Sequence, residues 1–322
     1  MTEFFISLFC TLALAPVVGL IMRRAGTMDV PNARSSHSVP TPRGGGLACM
    51  GGIVIAVCTS SLLHHSVPWP PLCAAFALGI LGFVDDRRRL PATPRLVAQV
   101  CIGALAMIGF GGVWWVVAGA IAAPLAVNVV NFMDGINGIT GLNIGLWGIA
   151  AFGLGLTTKT QELVVVGAVT AGSSLGFLPW NAPNARLFLG DTGSYLLGAL
   201  VGFGFLIGVH EGISSALLVA PMALYLADTI TTLAKRFAHG ERLFEAHRDH
   251  VYQRLVIDSG FSHVLVSGLV TLLATVIAVS WIPGDLFLGA SVTTSIITGY
   301  LLLPRILAAP ARQRFVESGN ET

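Results

Sequence analysis

Long apolar runs alternate along this chain with short polar interruptions. Hydrophobic stretches fall near residues 4–22, 45–63, 72–84, 96–110, 113–130, 140–157, 162–178, 194–209, 213–234, 262–282 and 286–304. Most approach the ~20 residues that a helix needs to cross a bilayer core. The runs are continuously apolar rather than alternating, which excludes a membrane β-barrel. Glycine and alanine are scattered through them, as close helix contacts in lipid require. The pattern predicts an all-α, polytopic integral membrane protein with about eleven transmembrane helices, forming one domain over residues 1–322.

The polar interruptions sort by charge. With the N-terminus outside, the cytoplasmic segments are 23–44, 85–95, 131–139, 179–193, 235–261 and 305–322, and the C-terminus is cytoplasmic. Of the 18 Lys and Arg residues, 17 fall in these segments and only Lys159 lies outside them. This is the distribution the positive-inside rule demands. No positive charge precedes the first run, while Arg23 and Arg24 follow it, so it reads as an anchor rather than a cleavable signal. Charged residues make up 11% of the chain, against about 25% in a soluble domain, which excludes a soluble globular protein. The net charge of +2 gives no footing for nucleic acid. Cys10, Cys49, Cys58, Cys73 and Cys101 lie in apolar stretches with no C-x-x-C spacing, and read as small buried hydrophobes.

The unusual polar residues gather on the side of the arginines. Residues 40–46, Pro-Thr-Pro-Arg-Gly-Gly-Gly, put a stiff segment and Arg43 before the second helix. The N–H groups of Gly44, Gly45 and Gly46 form a candidate anion site there. The third run ends in Asp85-Asp86 followed by three arginines. This is either a solvated helix end or a carboxylate pair facing a metal or a reacting phosphate. Asn128, Asn131, Asp134 and Asn137 recur at intervals of three and share helix faces. Their oxygens suit a hard cation such as Mg²⁺, and amides also read nucleobase edges. Asn181, Phe188 and Asp191 precede the eighth run; Asp191 lies beside Gly190 with Gly193 just beyond, and Phe188 can stack on a flat ring. The longest loop carries His247, Arg248, His250 and Arg254, a cationic patch suited to phosphate. Asp228 lies within the ninth run, with Lys235 as a candidate partner.

In this order the motifs resemble those of the polyprenyl-phosphate N-acetylhexosamine-1-phosphate transferases, part of glycosyl transferase family 4. The matching pieces are residues 40–46, Val84-Asp85-Asp86, the Asn128–Gly138 run, Phe188–Ser194 and His247–Arg254. The resemblance implies transfer of a sugar-1-phosphate from a UDP-N-acetylaminosugar to undecaprenyl phosphate. It implies Mg²⁺, replaceable by Mn²⁺, and release of UMP at the cytoplasmic face of a bacterial inner membrane. It assigns Asp191 and Asn131 to the metal. Asn181, Asp134, Asn137 and Phe188 fall to the uridine. His247, Arg248, His250 and Arg254 fall to the sugar phosphate or diphosphate, and Asp85 and Asp86 to the reacting centre. A homodimer is compatible with it. His247-Arg-Asp-His250 in place of three histidines, and Asn137 in place of Asp, depart from the peptidoglycan branch. They favour a surface-polysaccharide initiator of O-antigen type.

Competing classes fit less well. A transporter or flippase with an anion site needs ionisable residues at the bilayer midplane, and only Asp228 lies within a run. The aspartate series of CDP-alcohol phosphotransferases and the buried Ser–His or Asp pair of intramembrane proteases are absent. Asp85 reads as a positioning or charge-balancing group, because a phosphate with a second pKa near 6 is mostly dianionic at neutral pH and leaves a base little to remove.

Overall fold

Backbone groups in hydrocarbon have no water to bond, so each apolar run must close its own hydrogen bonds as a helix. The computed structural model describes residues 1–31, 39–63, 65–241 and 248–307. Its helices are α1 (Thr2–Arg24), α2 (Gly46–Leu62), α3 (Trp69–Arg88), α4 (Ala92–Ala106), α5 (Val113–Met133), α6 (Ile139–Thr158) and α7 (Gln161–Asn181). They continue with α8 (Gly190–His210), α9 (Ser215–Val219), α10 (Ala223–Ala238), α11 (Val251–Ile257), α12 (His263–Ser280) and α13 (Leu286–Ile306). Ten spans among the described residues are long and apolar enough to cross a membrane, with α9 and α10 forming one of them; α2 is shorter at 17 residues. All eleven apolar runs are therefore helical, and the chain is an all-α, multi-pass membrane protein.

Three differences from the sequence pattern matter. The ninth run breaks into α9, a 3₁₀ turn at Ala220–Met222 and α10, because Pro221 cannot continue a helix ladder. The loop after α10 carries a further short helix, α11. The cysteines are free, but only Cys49 is buried; Cys58, Cys73 and Cys101 are exposed on helix surfaces, where an apolar thiol faces lipid without cost.

α7 and α8 form the buried centre, with α1, α2 and α6 around α7 and α3 and α5 around α8. Small residues set these distances. A Cβ on Gly103 of α4 would strike the Gly119 carbonyl of α5, and one on Gly119 would strike that of Gly103. Two such contacts fix the start of α8. Gly46 of α2 lies against the backbone of Thr192 and Gly193, and Gly82 of α3 against that of Asp191 and Thr192. Before α2, Met28–Asp29 pairs antiparallel with Thr41–Pro42, and the Arg43 N–H donates to the Thr27 carbonyl at 3.1 Å. This ribbon delivers Arg43 to the same point.

A methyl group at Gly82 has only backbone to meet. G82A is expected to lower the apparent melting temperature of the solubilised protein by at least about 5 °C. G79A, one turn earlier and facing side chains at 3.3 Å or more, should change it by less than half as much. Thermal unfolding of the two variants checks this.

Candidate active site at the head of α8

Buried carboxylates must be paired or hydrogen-bonded. Asp86, whose side chain is 1% exposed, is satisfied on both oxygens. Its Oδ1 accepts from the Asp191 N–H at 2.9 Å and pairs with Arg43 Nε at 2.7 Å. Its Oδ2 accepts from the Thr192 N–H at 3.0 Å and hydroxyl at 2.8 Å. α8 thus begins on a carboxylate lent by α3, which answers orphan N–H groups of its first turn and its positive dipole end. Gly190, at φ +74°, admits this approach; a Cβ there would lie 2.7 Å from Asp86 Oδ2.

Asp85 faces the other way. Its Oδ1 accepts from the Leu90 N–H at 2.8 Å, and its Oδ2 from Arg95 Nη1 at 2.6 Å and the Tyr195 hydroxyl at 2.9 Å. Asp191 is the third carboxylate. Its Oδ1 accepts from Arg43 Nη2 at 2.7 Å and Asn131 Nδ2 at 2.9 Å. Asn131 also donates to Ser194 Oγ at 2.9 Å. Burial works against the Arg43 charge, but Asp191 and Asp86 outweigh it and hold its pKa above the ordinary arginine value. A cavity of about 660 Å³ opens before these groups, lined among others by Asp29, Arg43, Asp85, Asp86, Arg95 and Asp191.

The donor set fits a magnesium ion. Asp191 Oδ2 and Asn131 Oδ1 accept no hydrogen bond from the described residues. Two hard oxygens plus ligand phosphates and water make the usual Mg²⁺ shell.

The turn after α5 forms the second part of the site. Asp134 ends the helix, its N–H donating to the Asn131 carbonyl at 3.3 Å. Asn137 donates to the Pro183 carbonyl at 3.0 Å. Asn181 accepts from the Gly138 N–H at 2.6 Å and donates to the Leu187 carbonyl at 3.3 Å, so both ends of its amide hold backbone. Phe188 bonds backbone to backbone with Pro42, Gly44 and Gly45. These bonds overturn one expectation. The Gly44, Gly45 and Gly46 N–H groups do not await an anion: they donate to the carbonyls of Phe188 and Leu189 at 2.8–3.2 Å, joining α2 to the loop before α8.

His250 precedes α11 and is 2% exposed. Its ring lies 6.4 Å from that of Phe132, next to Asn131. Its Nδ1 is 3.1 Å from Asp228 Oδ1. Asp228 is therefore partnered by His250, Thr232, the Val251 N–H and Tyr300. Lys235 is not its partner; two helical turns, about 10 Å, separate them, and Lys235 is exposed. Arg254 pairs with Asp258 at 3.3 Å on the exposed side of α11. Arg248 lies two residues before His250, and His247 falls outside the described residues.

Asp85, Asp86, Asp191, Asn131 and Arg43 thus meet in one cluster, with Asp134, Asn137, Asn181 and Phe188 in the adjoining turn and loop. Arg95 and Tyr195 escape sequence reading. Each is a single polar group at the head of an apolar run, and Arg95 is ten residues from its partner. The one available signal is a charge entering a helix at the membrane boundary.

The helical membrane bundle thus carries opposed carboxylates and arginines around an open cavity at one end. The profile of glycosyl transferase family 4 matches residues 69–209. The chain is 28% identical to a probable undecaprenyl-phosphate N-acetylglucosaminyl 1-phosphate transferase of Bacillus subtilis, covering 86% of this chain and 82% of the relative. It is 30% identical to the decaprenyl-phosphate N-acetylglucosaminephosphotransferase of Mycobacterium leprae, covering 90% and 87%. It is 31% identical to the phospho-N-acetylmuramoyl-pentapeptide-transferase of Moorella thermoacetica, covering 73% and 83%. The protein belongs to glycosyl transferase family 4.

Burial pushes the Asp134 carboxyl up from 3.8 to about 6, against the pull of Arg43. The folded protein therefore holds this proton more tightly than the unfolded chain does. The charged form opposes folding fully above about pH 6, and the opposition fades as pH falls towards 3.8. D134N is expected to stabilise the substrate-free protein at pH 7.5 by on the order of 1–3 kcal/mol. That advantage should shrink steadily below pH 6, as thermal unfolding across pH will show.

Proposed function

We propose that this protein transfers an N-acetylaminosugar-1-phosphate from a UDP-sugar to undecaprenyl phosphate. The products are UMP and a polyprenyl-diphosphate sugar that initiates a surface polysaccharide of O-antigen type. The donor is UDP-N-acetylglucosamine or a close relative such as an N-acetylfucosamine derivative. The observation that carries the reading is the meeting of Asp86, Asp191, Asn131 and Arg43 within hydrogen-bonding distance at the cavity. The names of the Bacillus and Mycobacterium relatives support the sugar and the lipid class. The site end of the bundle is cytoplasmic and the membrane is the bacterial inner membrane, a reading supported by the arginines at that end.

Donor and acceptor are both phosphate anions, so their approach is opposed by roughly 4 kcal/mol per pair of unit charges at 4 Å in a partly shielded site. Asp191 and Asn131 would hold a magnesium ion, which when bound would supply charge neutralisation for the donor diphosphate. Arg43 and Arg95 add fixed cations. The acceptor phosphate oxygen forms a bond to the sugar-bearing phosphorus. The bond from that phosphorus to the bridging oxygen breaks, and its electron pair leaves with UMP. Phe188, Asp134 and Asn137 receive the uridine, and Asn181 acts at one remove by fixing the Gly138 turn. His250, Arg248, Arg254 and His247 hold the sugar phosphate. Asp85 keeps Arg95 in place and does not abstract a proton.

Purified protein with polyprenyl phosphate, a panel of UDP-N-acetylaminosugars and Mg²⁺ is expected to release UMP. A chelator should stop the release and added Mg²⁺ restore it; no UMP from any donor with folded protein sinks the proposal. D85N is expected to lose roughly 10–100-fold in rate by a constant factor from pH 6 to pH 9. Recovery at the alkaline end would instead make Asp85 a base.

A further inference from the structure

The three arginines that follow Asp85-Asp86 take different places. Arg87 lies over the Phe83 ring at 4.7 Å. Arg88 ends α3 and lies outside the cavity wall. Arg89 is exposed and lines the cavity beside Asp85, Leu90 and Arg95. Two other guanidinium groups of that wall are engaged, Arg43 by Asp86 and Asp191 and Arg95 by Asp85. Among the described residues, no carboxylate or other acceptor pairs with the Arg89 side chain.

Its backbone sets Arg89 further apart. With φ 50° and ψ 68° it stands in the left-handed region, which glycine enters freely and a residue with a Cβ enters at a cost. The turn itself has a structural reason. The Arg89 N–H donates to the Asp85 carbonyl at 2.9 Å, and the Leu90 N–H then reaches Asp85 Oδ1 at 2.8 Å. Pro91 precedes α4, which returns Arg95 to the same carboxylate. Glycine is the residue that ends helices this way most readily. The helix dipole needs no third cation here, because Arg87 and Arg88 already occupy the last turn of α3. The fold thus asks for glycine at position 89, and the chain places there an arginine that faces the cavity.

We propose that Arg89 is a substrate-binding residue: its guanidinium takes a phosphate group in the cavity, and the left-handed turn is tolerated for the sake of that side chain. An arginine can meet a phosphate through two parallel N–H donors. The phosphates of donor and acceptor share this chemistry. Their assignment as the ligand rests on the transferase reading; the affinity of the cavity for a diphosphate does not. Lys159 supplies an internal control. It follows α6 in the same backbone region, at φ 61°, and is exposed away from the cavity. Glycine relieves the same cost at both positions, but only at 89 does it remove an anion-binding group.

The test uses full-length solubilised protein. R89G is expected to melt about 1–3 °C above R89A, and K159G by a similar margin above K159A. Calorimetric titration with inorganic pyrophosphate and Mg²⁺ should show R89G and R89A binding roughly tenfold more weakly than the wild type. R89K should recover part of that loss, and K159G should bind as the wild type does. In UMP release, KM for one anionic substrate should rise by a similar factor while kcat stays within about threefold. A rise for polyprenyl phosphate assigns Arg89 to the lipid headgroup, and a rise for the UDP-sugar assigns it to the donor diphosphate. Pyrophosphate binding undiminished in R89G, or not detectable in the wild type, overturns the proposal. So does an R89G that melts below R89A, or an unchanged KM for both substrates. Absence of UMP release by the wild type counts against the transferase reading and leaves the pyrophosphate titration to decide this one.

Discussion

The guanidinium of Arg43 lies between two carboxylates that would otherwise repel each other at the edge of hydrocarbon. Its Nε meets Asp86 and its Nη2 meets Asp191, each at 2.7 Å. The planar fork of arginine can serve two acceptors in fixed directions, which a lysine point charge cannot. Everything else at this end of the molecule follows from bringing those groups together. Asp86 can reach Arg43 only while it also caps α8, and Asp191 is the second residue of that helix. Charge pairing and helix capping thus share one carboxylate.

Such short distances demand close backbones, and close backbones demand missing side chains. Gly82 and Gly46 bring α3 and α2 onto the first turn of α8 from two directions, and Gly190 clears the space that Asp86 and Arg43 fill. In lipid no hydrophobic effect draws helices together, so packing of small residues and polar contacts must do so. The glycines of this bundle therefore carry part of the chemistry: they decide how near the carboxylates lie to the cavity. Asp134 shows the opposite balance. Its raised pKa marks a carboxyl group whose burial disfavours the charged form.

The fold was legible because hydrocarbon leaves the backbone so few choices. The run 113–130 and its helix Val113–Met133 differ by one turn, and that turn puts Asn131 on the same helix as Asn128, as their spacing implied. The kink at Pro221 was blurred because alanine, valine and leucine continue through it and hydropathy does not register a broken ladder. The cluster itself was half legible. Asp85 and Asp86 are neighbours in sequence, yet one serves α4 and the other α8; a helix turns about 100° per residue, and no motif says which face each takes. Arg95 gave no pattern because its partner lies across a loop. The glycine run misled for a definite reason: free N–H groups at a helix start are bound by whichever acceptor comes first, and here the carbonyls of Phe188 and Leu189 come before any ligand.

The two ends of the bundle differ in a way that bears on transport. At the end opposite the cavity, Glu3 is 2% exposed and closes on Ser60 and His65 at 3.1 and 2.6 Å. Between the two ends, the described helices carry buried hydroxyls and amides such as Ser173, Asn143 and the Asn128–Gln99 pair. Asp228 is the one carboxylate among the described residues set well inside a span, and it faces His250 at the cavity end. An anion crossing the bilayer needs a continuous series of compensating charges, because each gap costs several kcal/mol. Among the described residues the buried charges lie towards the two ends, Asp228 being the deepest and Glu3 standing at the far end. A bundle built this way can gather anions where the membrane meets water and let a lipid headgroup reach them from the side. Among the described residues, Glu3 is the one buried charged side chain away from the cavity end, so no series of buried charges joins the two ends.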